Sequence, residues 1–223
     1  MSRSGKGFFV SEYAGERDRM VREQLVQRGI QDERVLAAMR KVPRHLFVEA
    51  RMQDRAYDDC PLPIGQNQTI SQPYMVALMA QCLELTGEEQ VLEVGTGSAY
   101  EAAVLAELCV QVVSVERLED LALKARARLM SLGYENVLIV VGDGSLGCKE
   151  HEPYDAILVS AASPRIPRPL LNQLKAHGYL VLPIGEEEIQ SLIRLRKRGE
   201  RLEEDYLGEC RFVKLIGAQG WET

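Results

Sequence analysis

From about residue 90 onward, short β-branched runs alternate with helical stretches, and this rhythm constrains the fold more than any other feature of the chain. Apolar runs occupy 91–94, 110–115, 137–141, 156–160 and 179–183, and the intervening stretches 100–108, 118–132 and 167–176 carry apolar residues three and four apart. Strand–helix alternation at this spacing predicts a parallel sheet with helices on both faces. Two more apolar runs, 191–195 and 210–215, flank a charged turn containing Gly199 and predict an antiparallel hairpin at the C-terminal end. The expectation is an α/β fold with seven strands, five of them parallel. The basic cluster Arg194, Arg196, Lys197, Arg198 and Arg201 is interleaved with Glu200, Glu203, Glu204 and Asp205, and reads as a solvated edge and turn.

Upstream of that rhythm the chain reads as helical. Met20, Val21, Leu25 and Val26 share one face of a helix over 16–28, and Asp32 is suited to cap a second helix running through Met39. Pro61, Pro63, Gly65 and Pro73 then break regularity, so 61–73 reads as a loop entering a helix at Pro73, proline being well suited to a first turn. This loop holds Gln66, Asn67, Gln68, Thr69 and Ser71 almost in succession, more hydrogen-bonding capacity than a connector requires. With 223 residues and no repeat or linker, one domain is expected, divided into a helical cap (1–60), an active-site loop (61–75) and the α/β core with its C-terminal strands (76–223).

Composition removes several function classes. A hydrophobic content of 46% against 27% charged residues excludes wholesale disorder. A net charge of −6 argues against nucleic acid as a partner, because phosphate neutralisation needs a basic face. The cysteines Cys60, Cys82, Cys109, Cys148 and Cys210 are odd in number and widely spaced, and His45, His151 and His177 stand alone; neither a disulfide framework nor a metal site is expected. The opening apolar stretch is too short for a signal peptide and no run of 18 apolar residues occurs, so the expected home is a reducing cytoplasm, with no membrane partner. The oligomeric state is not fixed by the sequence, and a monomer is compatible with it.

The first β-run ends in V-L-E-V-G-T-G-S-A-Y, residues 91–100. Gly95 and Gly97 fall where a strand turns tightly into a helix, the position at which open α/β sheets bind ligands. Lacking a Cβ, they let the backbone lie against a ligand. Glu93 stands just before this loop, and Glu116 ends the next run, 21 residues beyond Gly95, where its carboxylate is suited to both hydroxyls of an adenosine ribose. A dinucleotide fingerprint would need glycine where Tyr100 stands, and a bulky tyrosine is expected to crowd a pyrophosphate. S-adenosylmethionine has no phosphate and presents an amine that suits nearby acids. The third run ends in V-G-D-G, where Asp143 is suited to the exocyclic amine of adenine. Three acids at three successive strand ends point to adenosylmethionine.

The run I-G-Q-N-Q-T-I-S-Q-P-Y-M (64–75), with V-L-E-V-G-T-G-S, S-V-E-R, G-D-G, P-Y-D-A-I-L-V-S-A-A and L-V-L-P-I-G following in order, resembles the protein-L-isoaspartate O-methyltransferase family. The resemblance spans about 17–215, and its T-I-S-x-P element is the family-specific part. It implies a three-layer, Rossmann-like class I methyltransferase fold. It also implies esterification of the free α-carboxylate of L-isoaspartyl residues in damaged peptides and proteins, from which a succinimide forms and some normal linkage is restored. The donor would be S-adenosyl-L-methionine and the product S-adenosyl-L-homocysteine. By position, Ser71 matches the active-site serine; Gln68, Thr69 and Ile70, with Ser71, the cofactor-contacting stretch; Glu116 the ribose acid; and Gly142, Asp143 and Gly144 the adenine-side loop. Ala161, Ala162, Phe212 and Val213 would flank the peptide.

Three residues depart from the family pattern. Ala99 replaces a third loop glycine, a change expected to affect packing. Asn67 stands where glycine or an aromatic is usual, and is among the residues best able to adopt φ > 0. Lys214 replaces a proline of the final strand. The chemistry needs no general base, since an α-carboxyl with a pKa of roughly 3.5 is ionised at pH 7. Ser71 is also a good helix-cap residue, and both readings stand at this point. So do two rival functions: a related carboxyl methyltransferase for a dedicated peptide, and a silent adenosylmethionine-binding protein.

Overall fold

The computed structural model describes residues 13–199 and 201–222. Seven strands form one sheet: β3 (Gln90–Val94), β4 (Gln111–Glu116), β5 (Val137–Val141), β6 (Tyr154–Val159), β7 (Leu174–Gly185), β8 (Gln190–Arg198) and β9 (Arg201–Cys210). Their order is β5-β4-β3-β6-β7-β8-β9. The ladders joining β5 through β7 are parallel, and those joining β7 to β8 and β8 to β9 are antiparallel. Because the chain leaves β3 for β4 on one side and later crosses to β6 on the other, a crevice opens at the carboxyl end of β3.

Period-two alternation assigns the side chains to two cores. Val91 and Val112 pack on one face with the N-terminal helices and α3 (Pro73–Cys82), whereas Leu92, Val94, Val113 and Val115 pack on the other. Glu93 and Ser114 share the parity of Val91 and Val112, so two polar side chains are forced into the first core, just below the crevice.

The N-terminal cap runs through α1 (Ala14–Arg19), which widens into a π-helical segment (Met20–Leu25) and tightens into a 3₁₀ turn (Val26–Arg28) before Gly29 reverses the chain at φ +92°. Asp32 caps α2 (Glu33–Lys41) as its position suggested, accepting from Arg34 N–H (2.8 Å) and Val35 N–H (3.2 Å). Residues 1–12 of the expected cap lie outside the described residues.

Three expectations are corrected. The stretch 61–73 is not a simple loop: β1 (Leu62–Gly65) and β2 (Gln68–Ile70) form a hairpin whose two turn residues, Gln66 and Asn67, have φ of +49° and +56°. That is the backbone of a turn matching strand twist, and asparagine tolerates it. The expected helix over 167–176 is shorter, α6 (Arg168–Gln173), and β7 begins at once at Leu174. The final strand is β9, not 210–215; that apolar run instead crosses the sheet end, touching it at an isolated bridge between Ala162 and Lys214. The register of β8 and β9 is held by charge rather than apolar alternation. Arg194 pairs with Asp205 at 2.7 Å and Arg198 with Glu203 at 2.7 Å across the ladder. The basic cluster lies along β8 and at the start of the edge strand β9, on either side of the turn at Gly199.

Candidate active site

The glycine loop between β3 and α4 (Tyr100–Ala106) is held open by its backbone. Gly95 and Gly97 have φ of +98° and +51°, and Gly95 N–H donates to Val115 O at 2.9 Å. Ala99 is left-handed too, at φ +69°, and fully buried, so the third position of the loop demands a conformation as well as a small side chain. From α5 (Glu119–Leu132), Arg128 Nη1 donates to Ser98 O at 2.8 Å and fixes the loop's far end.

A cleft lies over this loop. Its walls include Gln68, Thr69, Ile70 and Ser71 from β2 and the residue beyond it, Gly95 and Gly97 from the loop, Glu116 from the tip of β4, Gly144 after β5, Ser160 and Ala161 after β6, and the 213–216 segment. Glu116 is 6% exposed, and its oxygens accept from Gly97 N–H and Leu118 N–H, each at 2.9 Å. A carboxylate offers about four lone-pair directions, so both oxygens can still accept a hydroxyl. Gly144 has no room for a side chain: a Cβ there would sit 2.5 Å from Val94 Cγ1.

Below the loop lie buried acidic groups. Glu93 is wholly buried and accepts from Ser114 Oγ, whose oxygen lies 2.5 Å from Thr96 Oγ1. Burial first, and the charge of Glu101 second, hold its carboxyl well above the usual range. Glu101, the second residue of α4, accepts from Ser160 Oγ; burial pushes it up to about 7 against that hydrogen bond.

A second, larger cavity opens from the same place. It shares Thr69, Ser71, Ser160, Val213 and Lys214 with the first and continues between Tyr74, Met75 and Leu78 of α3 and the 207–212 stretch. Ser71 therefore stands at the junction of the two. It is half-buried, and the residue at the cap position of α3 is Gln72, with no side-chain cap bond.

A model of the protein-L-isoaspartate (D-aspartate) O-methyltransferase family matches residues 16–220. Protein-L-isoaspartate O-methyltransferase 1 of Syntrophobacter fumaroxidans is 55% identical over 206 residues, covering 92% of this chain and 96% of that one. The chain belongs to this family. Among solved structures, a protein-L-isoaspartate O-methyltransferase superposes with a TM-score of 0.84 at 30% identity, covering 92% of this chain and 67% of that one. A Plasmodium falciparum protein described as a putative member, in complex with S-adenosyl-L-homocysteine, gives 0.76 at 26% identity, covering 90% and 98%.

For a protein-L-isoaspartate O-methyltransferase, the expected residues distribute unevenly. Gln68, Thr69, Ile70, Ser71, Gly95, Gly97, Glu116, Gly144, Ala161 and Val213 line the cleft, and Phe212 and Val213 line the adjoining cavity. Glu93, Gly142, Asp143 and Ala162 do not. Glu93 lies under the loop, as its strand parity dictates. Asp143 commits its carboxylate to the protein: Oδ1 accepts from Ser145 N–H (2.9 Å) and Ser145 Oγ (2.6 Å), and Oδ2 from Ala218 N–H (2.7 Å). It thereby clamps the C-terminal segment, which Trp221 Nε1 also ties down by donating to Ala162 O at 3.0 Å. Tyr100 lines the cleft, but its ring packs inward, 5.5 Å edge-on from Phe47 and 4.8 Å beneath the Arg44 guanidinium, so the ring is not what would crowd a pyrophosphate. Lys214 pairs with Glu187 at 2.6 Å and lines both cavities. Sequence reasoning missed Glu101 and Ser160. The signal for Glu101 was available: it is the only charged residue among the apolar 100–106 stretch of a buried helix.

Proposed function

We propose that the protein transfers the methyl group of S-adenosyl-L-methionine to the free α-carboxylate of L-isoaspartyl residues in damaged peptides and proteins. The neighbouring peptide nitrogen then attacks the ester carbonyl and displaces methanol, closing a succinimide that starts repair. The observation that carries this reading is the position of Ser71, between a cleft floored by a glycine loop and a larger cavity able to admit a peptide. The donor set fits the cofactor: Glu116 keeps acceptor capacity for ribose hydroxyls, and Gly144 lines the cleft without a side chain. When bound, adenosylmethionine supplies a methyl group on a sulfonium leaving group.

The protein's part is binding, orientation and exclusion of water. The substrate carboxylate, with an intrinsic pKa of roughly 3.5, arrives ionised, so no side chain needs to take a proton. Ser71 Oγ donates to one carboxylate oxygen and thereby aims the other. The β1–β2 hairpin covers the cleft and keeps the opposite charges of nucleophile and donor in a dry site. Alignment of this kind is worth about 7–11 kcal/mol in well-oriented systems. The roles of Gln68, Thr69 and Ile70 toward the cofactor, and of Ala161, Phe212 and Val213 toward the peptide, belong to this proposal. All five cysteines are free and no described helix is long and apolar enough to cross a membrane. With these features we assign the reaction to the cytoplasm.

The test is radiolabelled methyl transfer to an isoaspartyl peptide and to its normal aspartyl counterpart. Base-labile label on the isoaspartyl peptide alone is expected. Equal labelling of both peptides would indicate a different carboxyl methyltransferase, and cofactor binding without transfer a silent protein.

A further inference from the structure

The glycine loop has two sides. Glu116 and Gly144 lie on the β4–β5 side of β3, where the ribose and purine are accommodated in the reading above. On the β6 side stands Ser160, beside the loop: a Cβ on Gly95 would lie in ordinary van der Waals contact with Ser160 Cβ, at 3.6 Å. Ser160 Oγ donates to Glu101 Oε2 and fixes that carboxyl in place. Glu101 lines the cleft although it is only 6% exposed, and its second oxygen, Oε1, is buried with no hydrogen-bond partner. Neither Glu101 nor Glu93 beneath it forms a salt bridge among the described residues.

A buried carboxyl with an unmet acceptor is costly, by the desolvation of the group it leaves unpaired. Such a group at the wall of a binding cleft is explained when a ligand supplies the missing donor. Adenosylmethionine and adenosylhomocysteine end, on the side away from the adenosine, in an amino-acid group bearing an ammonium. With the adenosine on the β4–β5 side, that end faces Glu101.

We propose that Glu101 is the anchor for the cofactor's α-ammonium group, accepting from it through Oε1, and that Ser160 is the positioning residue that orients the carboxyl. This rests on the adenosylmethionine reading and deepens it. The pair acts on the cofactor's amino-acid end and leaves the methyl acceptor to Ser71. The carboxyl, raised by burial in the ligand-free protein, regains its charge beside the ammonium.

Titration calorimetry of the whole protein with two ligands tests this: adenosylhomocysteine, and 5′-methylthioadenosine, which keeps the adenosine but has no amino-acid group. Glu101→Gln preserves shape and hydrogen bonding but not charge. The expected result is a loss of at least about tenfold in adenosylhomocysteine affinity, the range of a hydrogen bond to a charged group. Methylthioadenosine affinity should stay within roughly twofold, as a change confined to the ammonium predicts. An equal loss for both ligands, or no loss for either, would overturn the proposal. A ligand-side version needs no variant. The desamino analogue of adenosylhomocysteine should bind the parent protein about tenfold more weakly than adenosylhomocysteine itself; equal binding would overturn the proposal independently of how Glu101→Gln folds. Failure of the parent protein to bind either nucleoside would instead overturn the cofactor reading on which the proposal rests.

Discussion

Replacing Glu101 with glutamine should make the ligand-free protein more stable, and by an amount that depends on pH. In the unfolded chain the carboxyl titrates near the ordinary glutamate value of 4.5, and in the folded protein burial raises it to about 7. Between these values the folded state holds a proton that the unfolded state has released, so stability falls as pH rises through this window. At one pKa unit per 1.36 kcal/mol, the decline from pH 5 to pH 8 is on the order of 2.5 kcal/mol. Glutamine does not titrate, so the gap between variant and parent should widen by that amount. Glu93 adds in the same direction, because the Glu101 charge is one of the causes that raise it. For a chain of this size the change corresponds to roughly 5–10 °C in Tm at pH 8. Urea unfolding of both proteins at pH 5 and pH 8, freed of nucleotide, measures it. Parallel pH dependence in the two proteins, or a variant less stable than its parent at pH 8, would refute the reasoning.

Other expectations follow from the same geometry. Ser71→Ala should lower kcat on an isoaspartyl peptide by about 10–100-fold, the range of a hydrogen bond to a charged group, while leaving adenosylhomocysteine affinity within twofold by calorimetry. Glu116→Ala removes the acceptor assigned to two ribose hydroxyls and should raise the Kd for adenosylhomocysteine roughly a hundredfold; a change below about threefold would mean that the ribose binds elsewhere. Gly144→Ala drives a methyl group to 2.5 Å from Val94 Cγ1. Overpacking of that kind costs about 1–3 kcal/mol, visible as a lowered Tm.

The sheet was legible because buried parallel strands are short apolar runs and their crossover helices carry a clear three-to-four period. The C-terminal strand was not, because β9 lies at an edge. Its first six residues, Arg201 to Tyr206, are all exposed, and its register follows from Arg194–Asp205 and Arg198–Glu203 rather than from apolar alternation. The apolar 210–215 run attracted the strand assignment, but Leu215 is buried in the strap that Asp143 and Trp221 hold down. Asn67 hinted at a left-handed turn, yet Gln66 beside it did not, and the β1–β2 hairpin was therefore read as loop.

Within the site, glycines and the strand-tip acid Glu116 follow from position along the chain, since a strand end, a loop and a helix start are local features. Glu93 and Asp143 show the limit of that reasoning. Their sequence positions are those of cleft acids, but strand parity turns the first beneath the loop and contacts with Ala218 turn the second toward the C-terminal segment. Glu101 shows the converse: its place in the cleft depends on Ser160, 59 residues away, which only the sheet brings alongside.

The most direct test of the central claim is a crystal structure of the protein with adenosylhomocysteine and an isoaspartyl peptide. The account predicts the nucleoside across Gly95–Gly97 with its ribose on Glu116, and the isoaspartyl carboxylate within about 3.2 Å of Ser71 Oγ, facing the sulfur. A nucleoside bound away from that loop, or a carboxylate held without Ser71, would contradict it.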